Sequence, residues 1–228
     1  KIIQKNVKKF YKDIIIKKND KENLINSFTK SYNYSFNKKQ IKKYKKFKIY
    51  QIYGMGGSSL GAKAIYDFIK PKTKKKFYFF NNLDKKNSLI KQKKRSLDII
   101  ISKSGNTLET IVNENIFSNK NKIYITENRE NYLRNLATKL KSEIIEHKNF
   151  IGGRYSVLSE VGMLPAELMG LNSNKFKMFD ELIKNKIFVR NLLNNVNAIY
   201  NLVKKKKTNS IILNYDESSL SIFKWYQQ

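Results

Sequence analysis

Three short stretches of this 228-residue chain combine glycines, hydroxyls and charges in patterns suited to chemistry. The first is "ISKSGNTLET" (101–110), where Ser102, Lys103, Ser104, Gly105, Asn106 and Thr107 follow an apolar run and lead into a helical pattern carrying Glu109. A helix start leaves backbone N–H groups without intrahelical partners, and the aligned peptide dipoles add positive partial charge there. Hydroxyls from Ser102, Ser104 and Thr107 would supplement those donors, and such a set fits the terminal oxygens of one phosphate. The G-x-x-x-x-G-K pattern of nucleotide triphosphate loops is absent, so a phosphate monoester is the better-matched ligand. Ordinary capping by Thr107 is the alternative, although a cap rarely needs so many hydroxyls in so short a run.

The second stretch is "YGMGGSSLG" (53–61). Gly54, Gly56 and Gly57 let the backbone bend sharply and approach a ligand closely, and Ser58 can cap the following helix or offer its hydroxyl. The glycine spacing does not fit the dinucleotide fingerprint, and the only acid at the end of the next strand is Asp84, so a nicotinamide site is not expected. A plain tight turn with a cap remains open. The third stretch is "FIGGRYSVLSEVGMLPAELMG" (150–170), where Arg154 follows Gly152 and Gly153, and Ser156 opens a helical pattern that includes Ser159 and Glu160. An arginine held there could stabilise negative charge developing on a reacting oxygen. It could equally be a structural arginine bound to carbonyls or to a carboxylate.

The elements that must position these loops are legible as alternation. Short, nearly continuous apolar runs at 47–54, 76–82, 96–102, 121–126 and 142–146 alternate with helical patterns near 59–70, 84–92, 107–118 and 130–140. This rhythm predicts an α/β three-layer sandwich with a five-stranded parallel sheet of flavodoxin-like type, buried on both faces. In such sheets ligands bind outside the carboxyl ends of the strands, where all three stretches fall. Residues 1–45 read as an N-terminal helical segment, 46–170 as the sheet domain, and 171–228 as a helical connection followed by the beginning of a second α/β unit, with a strand at "SIILNY" (210–215). The chain opens on Lys1 and stops at Gln228 within a helical pattern, and the expectation is a portion of a longer protein.

Composition narrows the classes. Forty-seven Lys and Arg against 18 Asp and Glu give a formal charge of +29, which would suit nucleic acid or an anionic surface. The lysines are spread along the whole chain rather than gathered in one block, and no RRM, KH, helix-turn-helix or zinc-finger pattern is present, so no specific nucleic-acid partner is expected. Cysteine is absent, which excludes disulfides and thiol chemistry, and a single histidine, His147, argues against a His-rich metal site. His147 is expected at the surface or at a strand end. No signal-peptide pattern and no run of roughly 18 apolar residues appear, so the expectation is a cytoplasmic protein with no membrane contact.

Taken in this order and spacing, "GMGGSSLG", "SKSGNTLET" and "IGGRYSVLSEVGMLP" resemble the glucose-6-phosphate isomerase family, whose halves are sugar isomerase (SIS) domains. The last of the three is the most specific, and "ILNYDESSLSIFKWYQQ" is similar to the segment that leads to the family's catalytic glutamate. The resemblance implies reversible aldose-ketose isomerisation of glucose 6-phosphate to fructose 6-phosphate through a cis-enediol(ate), in glycolysis and gluconeogenesis, with no metal or cofactor. It implies that Ser102, Lys103 (by its backbone N–H), Ser104 and Thr107 bind the phosphate, that Gly57, Ser58, Gly153 and Gln228 contact the substrate, and that Arg154 is catalytic through the enediolate. Glu109 would be the partner that orients Arg154. The family's glutamate base, ring-opening histidine and lysine would follow Gln228, and a homodimer is implied. The competing expectations are a dual-specificity phosphoglucose/phosphomannose isomerase and a non-catalytic SIS-type sugar-phosphate-binding regulator.

Overall fold

The strands form where β-branched and aromatic residues are densest: β1 is Ile49–Tyr53, β2 Lys76–Phe80, β3 Ser96–Ile101, β4 Lys122–Thr126 and β5 Glu143–Glu146. They make the expected five-stranded parallel sheet, in the order β2-β1-β3-β4-β5. The computed structural model describes residues 2–83 and 95–228; the helix expected near 84–92, and Asp84 with it, lie outside the described residues. The helices are α1 Ile2–Lys17, α2 Lys38–Lys42, α3 Leu60–Ile69, α4 Leu108–Phe117, α5 Tyr132–Lys139, α6 Glu160–Met169, α7 Phe179–Lys184, α8 Lys186–Lys204 and α9 Leu220–Gln227. By internal contacts the chain divides into two units: residues up to Tyr32 with Asn174–Leu213, and Asn33–Ser173 with Asn214–Gln228.

The larger unit holds the sheet. Every residue of β3 is buried, as a strand covered on both faces must be. Tyr53, Phe80, Ile100 and Tyr124 on one face pack with Leu133 and Ala137 of α5, and Ile111 and Phe117 of α4 close over them. On the opposite face Tyr50 stacks on its register partner Phe77 with ring centroids 4.5 Å apart, and Tyr66 of α3 tilts against Phe77. Tyr53 and Phe80, also register partners, stack at 4.7 Å. Aromatic cross-strand pairs of this kind contribute about 0.5–1.5 kcal/mol beyond area burial. Polar groups inside the sheet are paired: Gln51 donates to Asp98 at 3.0 Å, and Ser96 and Asn119 bond the same carboxyl, which burial nevertheless pushes up.

The smaller unit is helical. Lys18 pairs with Asp180 at 2.7 Å, the rings of Phe28 and Phe179 meet at 6.2 Å, and buried Lys177 donates to the Ser27 carbonyl with its ammonium 4.5 Å from the Tyr32 ring centroid. Asn185 caps α8 by accepting from the N–H groups of Ile187 and Phe188. The strand expected at 210–215 does not form. A strand exists through the ladder bonds it makes with a neighbour, no described strand pairs with this run, and Ile211, Leu213 and Tyr215 stand exposed.

His147 directly follows β5, its N–H donating to the Thr126 carbonyl at 2.8 Å, and it is buried there rather than at the surface. Its Nδ1 lies 3.0 Å from the Lys148 carbonyl, and the charged groups that face it are Lys103 and Glu127. Burial lowers the imidazole's affinity for a proton, with Lys103 acting in the same direction and the Lys148 carbonyl and Glu127 opposing. Its pKa is therefore lower in the folded chain than in the unfolded one, where it is about 6.5. Stability from this residue is fully present above about pH 6.5 and is lost as the pH falls below that value, because the unfolded chain takes the proton first. Urea titrations between about pH 7.5 and 5 should show that loss in the native sequence, and a His147→Gln variant should show a flatter profile across the same range.

Candidate functional site

The chain leaves β1 toward β2 on one side, while β3 lies on the other, so the loops after β1 and β3 diverge at the carboxyl edge of the sheet. The stretches singled out above meet at this edge. A side chain at Gly54 would press on the carbonyl of Ile101, the last residue of β3, so the β1 loop runs directly beside the start of the hydroxyl loop. Lys103 of the hydroxyl loop reaches the segment after β5, where its Nζ donates to the Asn149 carbonyl at 2.7 Å.

The glycine loop and the arginine turn pack backbone on backbone. Residues Gly153–Leu158 form a 3₁₀ turn, and α6 follows with Ser159 as its cap; the helix begins four residues later than Ser156. A Cβ at Gly57 would occupy the space taken by the Gly153 carbonyl, so glycine is required there for close approach. Buried Ser156 ties the two segments by donating to the Gly153 carbonyl at 2.7 Å, with the Gly57 carbonyl at 3.3 Å. Arg154 emerges from this turn exposed to solvent, and its Nε donates to the Gln228 carbonyl at 2.8 Å. The Gln228 amide lies over Gly56, and Trp225 Nε1 donates to the Arg154 carbonyl at 3.3 Å. These contacts exist because α9 packs along α3, where Ser221 donates to Asp67. Trp225 was not among the residues singled out in the sequence, since its role depends on a contact 71 residues away.

The hydroxyl loop is tightly built. Ser102 is buried, its Oγ accepts from the Gly105 N–H at 3.1 Å and lies 2.8 Å from Thr107 Oγ1, and Ser104 Oγ accepts from the Asn106 N–H at 3.3 Å. Thr107 stands at the cap position of α4 yet makes no side-chain cap, and Ser59 at the start of α3 makes none either. Asn131, Ser159 and Asn185 do cap their helices. The two helices that start at the carboxyl edge of the sheet after β1 and β3 therefore keep first-turn N–H groups that no side chain caps, donors of the kind an anion cradle needs, and α7 and α9 also start without a side-chain cap.

Charges around the loop are arranged in a chain. Glu127 is buried and pairs with Arg129 at 2.7 Å and Lys103 at 3.4 Å. Glu109 is half-buried, and among the described residues no ion pair joins it to Arg154, whose Nε is taken by Gln228. Ser58 is half-buried beside Gly57, and Gly153 shares the arginine turn, so Gly57, Ser58, Gly153, Arg154 and Gln228 form one cluster and Ser102, Lys103, Ser104 and Thr107 the adjoining one. Among the described residues no group of three or more His, Asp or Glu is placed to hold a metal ion, and no helix is long and apolar enough to cross a membrane.

The tight contact between the loops carries a prediction. Gly57→Ala must separate the glycine loop from the arginine turn or shift both, and it should destabilise the chain by about 1–3 kcal/mol, the usual cost of forcing extra volume into a packed site. Denaturant unfolding checks this, with Gly153→Ala, where a Cβ meets open space, as the mild comparison.

The family model for phosphoglucose isomerase matches residues 5–228. The glucose-6-phosphate isomerase of Methanocaldococcus jannaschii is 36% identical over 194 residues, covering 77% of this chain and 47% of the relative, and that of Acetivibrio thermocellus is 32% identical over 214 residues, covering 77% and 46%. The chain thus spans about half the length of the curated relatives it matches. Among solved structures, a hypothetical protein from Thermus thermophilus superposes with a TM-score of 0.71 at 17% identity, covering 96% of this chain and 58% of its own, and so shares the fold. With nearly its whole length matched by one family model, the chain belongs to the phosphoglucose isomerase family.

Proposed function

We propose that the full-length protein interconverts glucose 6-phosphate and fructose 6-phosphate, as an aldose-ketose isomerase of glycolysis and gluconeogenesis. The observation that carries this reading is the packing of the arginine turn on the glycine loop, at the same sheet edge where α4 begins with no side-chain cap. Ser102, the Lys103 N–H, Ser104 and Thr107 hold the 6-phosphate, and Gly57, Ser58, Gly153 and Gln228 contact the sugar. With its hydroxyl engaged by Gly105 and Thr107, Ser102 contributes chiefly by shaping the cradle.

Arg154 is the catalytic residue in this reading. Moving a proton between C2 and C1 passes through an enediolate whose oxygen carries charge that the substrate lacks. A guanidinium beside that oxygen therefore interacts more strongly in the transition state than in the ground state, which accelerates the step. Its Nε is anchored by Gln228, so the side chain is oriented before substrate arrives. The base that carries the proton is not assigned to any residue of this chain.

The same reading makes 46–170 the first SIS domain, 1–45 a preceding helical segment and 171–228 a connection to a second α/β unit. The exposed apolar run at 210–215 supports the last point, since such a run suits a strand covered on both faces. A homodimer in the cytoplasm is the proposed setting.

The decisive measurement is fructose 6-phosphate formation by the full-length protein; absence of turnover in a folded protein would reject the proposal. Arg154→Ala should lower kcat by about 10²–10³ with KM changed only a few-fold. If kcat stays normal while KM rises, the arginine serves uniform binding and not the transition state.

A further inference from the structure

The hydroxyl loop is held from outside as well as from within. Three successive N–H groups at the start of α5 are used up, two by the loop and one by the residue that flanks it. Tyr132 N–H donates to Asn106 Oδ1 at 3.0 Å, Leu133 N–H to the Gly105 carbonyl at 3.1 Å, and Arg134 N–H to Asn131 Oδ1 at 2.9 Å. Just upstream, Glu127 N–H donates to the Lys103 carbonyl at 3.2 Å. Gly105 sits at φ +67°, and its open side is filled by the side chain of buried Asn131, whose Nδ2 donates to the Arg129 carbonyl at 3.0 Å. The neighbouring helix α4 receives no side-chain cap at all. The start of α5 thus gives two donors to the loop and one to Asn131, and the start of α4 keeps its donors uncapped.

We infer that Asn106 and Asn131 are positioning residues for phosphosugar binding: through the first turn of α5 they hold the loop 102–107 so that the donors of α4 converge on the phosphate. The inference deepens the proposed function and rests on the reading that this loop takes the phosphate. The Asn106 side chain itself is exposed, and its amide oxygen carries a backbone donor that water could otherwise satisfy, so losing it costs the fold little and the loop much. Asn131 plays the complementary part, since any other side chain leaves the space beside Gly105 differently filled. Both act on the handle of the substrate and not on the reacting carbons.

The test uses the full-length protein. Asn106→Ala should raise KM for the phosphosugar about 10-fold, weaken competitive inhibition by inorganic phosphate by the same factor, and leave kcat within about twofold, because only binding common to ground and transition states is lost. The melting temperature should not change. Asn131→Ser keeps an acceptor for Arg134 but removes the amide beside Gly105, and it should give the same split. Unchanged KM and phosphate inhibition in both folded variants would overturn the inference. A parallel loss of kcat and melting temperature would also overturn it, by showing a general structural role. If the native protein turns over no phosphosugar, the isomerase reading fails on its own, and calorimetry with inorganic phosphate decides the positioning role: weaker binding by Asn106→Ala supports it and equal binding rejects it.

Discussion

The site depends on one contact between two backbones. The Gly153 carbonyl fills the place where any other residue at 57 would carry its Cβ, and this lets the loop after β1 and the turn after β5 share a boundary with no side chain between them. Without that approach Ser156 could not bridge both carbonyls, and Arg154 would leave the turn at another angle. The contact is short range and unforgiving, which is how a packed interior transmits position from one loop to the next. Chain segments far apart in sequence are locked to it in turn: Trp225 holds the Arg154 carbonyl and Gln228 holds its guanidinium.

Around that contact the fold distributes its helix starts with economy of purpose. The starts of α2, α6 and α8 are capped by the side chains of Asn37, Ser159 and Asn185, whereas those of α7 and α9 have no side-chain cap. The starts of α3 and α4 share that lack, and these two stand at the carboxyl edge of the sheet. An uncapped start costs about 1 kcal/mol of local stability relative to a capped one and leaves backbone donors that an anion could take. The start of α5 is a third kind, since it uses its donors to hold the loop that feeds α4.

Much of this was legible in the sequence. The alternation of apolar runs and helical patterns implied a parallel sheet, because strands such as "LDIII" offer no polar face, and the observed strands fall within the expected ranges. The segment 210–215 was the exception: it has the composition of a buried strand, yet composition cannot supply the neighbour that a strand needs. For His147 the sequence left a surface and a strand-end position open; it follows β5 and is buried there, and that burial depends on what packs over β5, which no local pattern states.

The sequence by itself determined the sheet, the positions of the loops along it and the residue types available for an anion and for negative charge developing on an oxygen, since these follow from periodicity, glycine spacing and the chemistry of hydroxyls and arginine. Only the tertiary structure decided how those residues are used. It turned Ser102 inward to Thr107 and Gly105, gave the Arg154 guanidinium to Gln228 rather than to Glu109, and made Asn106 and Asn131 the supports of the hydroxyl loop. The reason is geometric: a hydrogen bond is chosen among several partners by distances of tenths of an ångström, and those distances are set by packing between segments that the sequence keeps far apart.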